Sequence, residues 1–361
     1  MTYRHLIPIL LLPILTGCNP FQQRPKLVYD AGQADLITGL SWMPDSQHLI
    51  VKLMRDEYDS RAVVAPLAGG SLRGLGQCLR LVDPQPTADG RKVLLTDPDG
   101  SLVFRSVADG KGYTITVRDQ RADMTDAALA PDGKRIAIAQ VMEGHEGLTA
   151  TSRLRMIDLV GKVLREKTYT GGMLGIVIWS PDSRFLMLIQ YSFDAKRVTI
   201  ADGSSLKTVQ AFTIPFDWRV SRQCWGPDSK RFFGLGAPDA GKRSIWMAGT
   251  SSKQITDVFQ APTNQGGEAA WSPDGKTIAL SDTTIPADGK IVTTIYLIDI
   301  ESGDIKKHFG PLEGEVGWLM WSPSGDALAF VRLNRVEVLR VQPSKPETAR
   351  PSSTSGIPAA S

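Results

Sequence analysis

Five stretches decide the reading: Leu40-Ser41-Trp42-Met43-Pro44-Asp45-Ser46, Ile178-Trp179-Ser180-Pro181-Asp182-Ser183, Cys224-Trp225-Gly226-Pro227-Asp228-Ser229, Ala270-Trp271-Ser272-Pro273-Asp274-Gly275 and Met320-Trp321-Ser322-Pro323-Ser324-Gly325. Two looser copies, Pro86-Thr87-Ala88-Asp89-Gly90 and Leu129-Ala130-Pro131-Asp132-Gly133, fill the gap after the first. Aligned on the proline position, the copies stand at 44, 88, 131, 181, 227, 273 and 323. Each is followed by a strand-like run, at 48–53, 92–96, 135–139, 185–189, 231–235, 277–280 and 327–331. A period of roughly 40–50 residues with about four strands per unit is the pattern of a β-propeller blade.

The motif has a plain physical reading. Asp-Gly or Asp-Ser gives the backbone freedom for a tight hairpin, and proline pre-sets φ before it. The tryptophan two residues earlier ends the innermost strand. A residue repeated at one structural position is expected to pack between blades rather than stack on a ligand.

The ends of the pattern predict closure. The last unit shows strands at 316–321, 327–331 and 335–341, and then Pro343 and Pro346 stop it. Lys26-Leu27-Val28-Tyr29 precedes the first unit without a blade of its own, and it resembles the outer-strand segment Lys307-His308-Phe309-Gly310. The expected fold is therefore all-β: a seven-bladed propeller of four-stranded antiparallel blades over residues 26–342, closed by the N-terminal strand so that no sheet edge stays open. Residues 343–361, rich in Pro, Ser, Thr and Ala, are expected to be a disordered tail.

Composition agrees. Thirty-four Gly and 23 Pro in 361 residues fit a turn-rich chain, and a net charge of +3 argues against a nucleic-acid binder. Three cysteines are too few for a disulfide-stapled scaffold.

At the N-terminus Arg4 precedes an apolar run over residues 6–15 that is interrupted by Pro8 and Pro13. Its length is about half of what a spanning helix needs, which is the form of an export signal. The run ends in Leu15-Thr16-Gly17-Cys18, which resembles the bacterial lipobox. That resemblance implies a signal peptide over 1–17, lipidation of Cys18 and a tether over 18–25. Asn19 resembles the outer-membrane sorting class, placing the chain at the periplasmic leaflet of the outer membrane. Removing residues 1–17 takes away Arg4 and lowers the net charge to about +2.

Trp271-Ser272-Pro273-Asp274-Gly275-Lys276 and its copies resemble the WD40-like repeats of the TolB propeller family, also found in prolyl-oligopeptidase-type peptidases. The resemblance spans nearly all of residues 26–342 and implies fold far more than function. TolB itself carries an N-terminal α/β domain and six blades, so its partner-binding mechanism is not carried over to this chain.

Catalytic motifs are sparse. There is no Gly-x-Ser-x-Gly elbow, Walker loop, dinucleotide fingerprint or His-Glu-x-x-His. His48, His145 and His308 fall in different units and are not expected to converge on a metal. Asp97-Pro98-Asp99-Gly100 reads as a turn rather than a calcium loop. Cys78 and Cys224 are expected to be buried thiols, and no cofactor is expected.

Antiparallel order puts the Pro-Asp turns on one face of the disc, here the turn face. The segments entering the inner strands share the opposite loop face with the links between second and third strands. The repeat disappears on the loop face, where binding residues tend to sit. Its candidates are Tyr58, His145, Tyr191, Phe193, Trp218, Arg219, Glu313 and Glu315; Trp218–Arg219 is a candidate hot-spot pair, set against a slightly favoured reading in which Trp218 caps the fifth inner strand against its neighbour. The leading functional expectation is a monomeric, non-enzymatic envelope lipoprotein that binds envelope proteins. The alternative is a metal-dependent lyase or lactonase working at the central channel.

Overall fold

The computed structural model describes residues 24–56, 59–79, 82–115, 123–143, 150–192, 195–215, 217–236, 244–252, 254–263, 267–286 and 288–341. Strand β1 (Lys26–Asp30) is followed by blade 1, formed by β2 (Leu36–Trp42), β3 (His48–Met54), β4 (Ser60–Pro66) and β5 (Arg73–Gln77). Blade 2 contains β6 (Gln85–Pro86), β7 (Lys92–Thr96), β8 (Leu102–Ser106) and β9 (Gly112–Ile115). Blade 3 contains β10 (Asp123–Leu129), β11 (Ile136–Glu143), β12 (Thr151–Ile157) and β13 (Val163–Thr170). Blade 4 contains β14 (Met173–Trp179), β15 (Phe185–Tyr191), β16 (Ala195–Asp202) and β17 (Thr208–Pro215). In blade 5, β18 (Arg231–Gly236), β19 (Ser244–Gly249) and β20 (Thr256–Gln260) are regular. Its inner segment is held by two single bridges, Arg219 to Leu235 and Trp225 to Phe232. Blade 6 contains β21 (Ala269–Trp271), β22 (Thr277–Thr284), β23 (Val292–Asp299) and β24 (Ile305–Glu313). Blade 7 has β25 (Val316–Trp321), β26 (Ala327–Arg332) and β27 (Arg335–Arg340), with β1 as its outer strand. The seven blades and the N-terminal closure are as the repeat predicts.

The closure is stitched by the β26–β27 turn. Asn334 sits in left-handed backbone at φ 58°. Its side-chain amide donates to the carbonyls of Gly32 (2.9 Å) and Asp35 (2.7 Å), and its oxygen accepts from the Ile37 N–H (2.9 Å). Arg335 Nε adds an ion pair to Asp30 at 2.8 Å. One residue thus ties the chain on both sides of the seam.

Between blades lies the core. Seven apolar clusters fill the seven gaps, for example Leu154, Val177, Leu186 and Leu188 between blades 3 and 4. The tryptophan column belongs to this core: Trp42, Trp179, Trp225, Trp271 and Trp321 are all buried. The indole N–H groups of Trp42, Trp179 and Trp321 donate to Met320, Ala128 and Ala270 carbonyls of the preceding blade. Blade 2 has Pro86 at this position and uses Gln85 instead. Its amide donates to Ala127 O (2.8 Å) and accepts from Leu129 N (2.7 Å), across to blade 3.

Serine in the Pro-Asp-Ser turns has a purpose that glycine cannot fill. Ser46, Ser183 and Ser229 stand at φ 55–60°, where a β-carbon costs of order 1 kcal/mol. Each hydroxyl accepts a backbone N–H from the preceding blade's turn, namely Ser324, Asp132 and Asp182, at 2.9–3.0 Å.

Candidate functional site

Three residues upstream of the tryptophan position, the seven inner segments carry Gly39, Asp83, Asp126, Ile176, Arg222, Glu268 and Trp318. In blades 1, 3, 4 and 7 the strand register slips beside this level, between Ile37 and Gly39, Met124 and Asp126, Leu174 and Ile176, and Gly317 and Met320. Bulges of this kind re-aim side chains. Asp83, Arg222, Glu268 and Trp318 line a channel cavity of about 510 Å³ to which all seven blades contribute. That size lies within the roughly 300–1,000 Å³ of ligand pockets. The channel continues toward the turn face, where the walls are Trp42, Pro86, Ala130, Pro131, Trp271 and Trp321.

Arg222 spans the channel. It belongs to blade 5, yet its guanidinium meets Asp126 of blade 3 through both terminal nitrogens, at 2.9 and 3.1 Å, and Asp83 of blade 2 through Nε at 3.1 Å. The Asp126 side chain has no exposure, and its Oδ2 also accepts the Val177 N–H at 2.9 Å. Burial pushes the Asp126 carboxyl above its ordinary range, and Arg222 works against that rise. Lys52 completes the group from β3. Gly39 lies opposite it, and a β-carbon there would stand 3.2 Å from the lysine chain, so glycine is what admits Lys52 to this level. Its fully buried side chain donates to Val82 O at 3.1 Å and lies 3.9 Å from Asp83.

Trp318 faces this layer from blade 7. It is 37% exposed and held at φ 49° within the β25 irregularity. A bulky residue in left-handed backbone is strained by of order 1–3 kcal/mol, and such strain concentrates at functional positions. On the outer part of the same face Leu333 repeats the pattern, 53% exposed at φ 49°. Leu36, Ile285 and Ile291 add exposed apolar surface on blades 1 and 6.

The structure places the predicted site residues unevenly. Cys18, Tyr58, His145 and Phe193 lie outside the described residues. Glu313 and Glu315 are exposed at the β24–β25 link beside Trp318. Tyr191, half-buried at the end of β15, carries Lys196 over its ring at 5.5 Å. Burial pushes its phenol up, and Arg222 works against that rise. Arg219 is exposed but does not form the candidate surface pair with Trp218. Of the two readings of Trp218 its geometry matches packing: it is 9% exposed and stacks on Trp246 with centroids 5.5 Å apart. A β-carbon on Gly236 would sit 2.5 Å from the Trp218 ring, so the indole fills space that β18 vacates. Its role is to pack blade 5, whose inner segment is the least regular.

The other readings also find their places. Cys78 and Cys224 are free and buried, and burial raises the Cys78 thiol to about 11 and pushes Cys224 up further. Asp97-Pro98-Asp99-Gly100 forms the β7–β8 turn, with Asp99 capping Ser101 N. His48 binds Asp45 on the turn face and His308 lies on β24, so these two are apart. Among the described residues no three His, Cys, Asp or Glu side chains could hold a metal ion together.

Sequence reasoning missed Lys52, Asp83, Asp126, Arg222 and Trp318. For all but Lys52, which lies on β3, the signal was present three residues upstream of the tryptophans, where four of seven positions carry charge.

No family model and no curated protein sequence matches the chain. Among solved structures it is similar to the Swd1 β-propeller domain of Myceliophteria thermophila, with 14% identity and a TM-score of 0.58 over 87% of this chain and 100% of that one. An oligogalacturonate lyase from Vibrio parahaemolyticus gives 12% identity and a TM-score of 0.64 over 89% and 97%. Hydrazine synthase from Kuenenia stuttgartiensis gives 14% and 0.59 over 86% and 97%. At such identities the likeness is one of fold, and that fold is the WD40-like β-propeller.

Proposed function

We propose that this chain is a lipid-anchored, non-enzymatic propeller of a bacterial cell envelope, binding a partner protein through its loop face and channel mouth. The observation behind this reading is Trp318, a strained and exposed tryptophan at the mouth, with the Arg222 guanidinium in the same cavity. Tryptophan and arginine are the residues most enriched among interface hot spots. Leu333, Glu313 and Glu315 extend the surface outward with apolar and charged groups. The lipobox-like Leu15–Cys18 stretch supports the anchor.

A photo-crosslinking residue at Glu315 in intact cells tests the surface. The expected result is a discrete adduct with one envelope protein, reduced at least tenfold by Trp318→Ala in a ring of unchanged stability. Unaltered crosslinking in Trp318→Ala would refute the assignment. For the anchor, Cys18→Ala is expected to release the protein from the membrane fraction, and its retention there would count against lipidation.

A second reading, an enzyme with its centre in the channel, draws support from the charged layer of Asp83, Asp126 and Arg222 and from the likeness to an oligogalacturonate lyase. A stoichiometric divalent metal in the purified protein would favour it.

A further inference from the structure

We infer that the turn face of blades 2–5 rests on an anionic lipid surface, so that the channel mouth and loop face point away from the membrane. Three observations converge on this.

Strand direction comes first. β1 pairs antiparallel with β27, with Lys26 opposite Val338 and Asp30 opposite Arg335. Since β27 starts at the β26–β27 turn on the loop face, β1 begins on the turn face, and the chain before Lys26 leaves from there. Residues 18–26 reach at most about 28 Å when fully extended. Crossing to the loop face would use about 20 Å of this, the length of a six-residue strand.

Charge placement comes second. Three residues after the proline position, blades 2–6 carry Arg91, Lys134, Arg184, Lys230 and Lys276, all exposed. The acidic partner in each turn is short and folded onto the backbone: Asp89, Asp132, Asp182, Asp228 and Asp274 accept the N–H of those same basic residues at 2.9–3.0 Å. The long cations therefore project beyond the carboxylates. A second column, one residue before the outer strand, places Lys111, Lys162 and Lys207 on the same face of blades 2, 3 and 4, again exposed. Blade 5 has Ile255 at this position and blade 6 has Asp304, so both columns are basic on blades 2–4, and Lys230 extends the first column onto blade 5.

Third, Val160 tips the β12–β13 turn next to Lys162 and is 77% exposed. An apolar tip among lysines suits the boundary between headgroups and acyl chains.

The anchor and the surface act as two signals, the combination that stable membrane attachment requires. The basic face does not depend on lipidation, so the two can fail separately. The full chain carrying Cys18→Ala is mixed with vesicles of phosphatidylethanolamine alone or with phosphatidylglycerol. Selective binding to the phosphatidylglycerol vesicles is expected, falling steeply with salt. Each basic residue removed is expected to weaken it about fivefold, so Lys134→Glu/Arg184→Glu/Lys230→Glu loses at least a hundredfold. Equal binding to both vesicle types, or no effect of the triple variant, would overturn the inference.

The unaltered chain in phosphatidylglycerol vesicles then reports orientation. A fluorophore at Val160→Cys should be quenched by a headgroup-labelled lipid, and one at Glu315→Cys should not. The reverse pattern would also overturn it. If Cys18→Ala and the unaltered chain fractionate alike in cells, the lipid anchor fails, while vesicle selectivity still decides this face.

Discussion

Replacing Arg222 with methionine isolates the energetics of the channel layer. The substitution keeps most of the side chain's length but removes two charge-assisted hydrogen bonds to Asp126 and an ion pair to Asp83. Asp126 would then keep only backbone N–H donors, those of Val177 and Ala127, in a place with no exposure. Breaking a buried ion pair from one side costs about 3–5 kcal/mol. The Arg222 side chain is 39% exposed, so solvent screening argues for the lower end, about 3 kcal/mol. In a domain of this size that corresponds to a fall in Tm of roughly 4–5 °C.

The pH dependence is the sharper test. Asp126 is already raised by burial, and losing Arg222 removes the main opposing influence, so its folded pKa climbs further. A carboxyl with a folded pKa above its unfolded value destabilises the fold in full above the folded pKa. Below the unfolded value near 4 the penalty vanishes, because both states are then protonated. The deficit of Arg222→Met should therefore be greatest at pH 7.5 and shrink as pH falls toward 4.5. Urea denaturation of the unaltered chain, Arg222→Met, Asp126→Asn and the double variant at both pH values measures it. In the double variant the cost should be clearly smaller than the sum of the two singles. A loss under 1 kcal/mol, or one identical at pH 4.5 and 7.5, would refute the reasoning.

Other changes probe the ring itself. Trp218→Ala should cost about 3–5 kcal/mol, the range for emptying a buried aromatic site, and a drop below 1 kcal/mol in calorimetry would contradict its packing on Trp246. Asn334→Ala removes three hydrogen bonds and puts alanine in left-handed backbone, so about 2–3 kcal/mol should be lost. Amide exchange should rise first in β1, and uniform acceleration around the ring would argue against a local clasp. Ser183→Ala should lose about 1–2 kcal/mol, while Ser183→Gly, which sheds backbone strain along with the hydroxyl, should be milder in urea titration. Cys78 and Cys224 should resist a thiol reagent in the native state and react on unfolding, and rapid native labelling of either would contradict their burial.

What the sequence revealed follows the range of the interactions involved. The Pro-Asp turns are local, four or five residues setting their own geometry, so all seven could be read in line. Closure by Lys26–Asp30 was legible because a surplus strand and a missing strand balance. The channel layer was not. Arg222 meets Asp126 across 96 residues, and no short motif contains both. It emerges only when seven inner segments are stacked and one column is read across them. Trp218 stayed open between a surface and a packing reading for a related reason. Its place outside the repeated column looked like freedom from the core, whereas the irregular inner segment of blade 5 needed an extra ring to fill the space over Gly236.

The seam also sets the order in which the ring can be completed. Asp30 and Arg335 are partners separated by 305 residues, so β1, the first of the described strands to be synthesised, finds its neighbour only after the last blade exists. Until then blade 7 has no outer strand and β1 has none to pair with, leaving two unsatisfied sheet edges on one chain. Any truncated product lacking Arg335–Arg340 carries that exposed edge permanently, which marks incomplete chains as targets for chaperones and proteases.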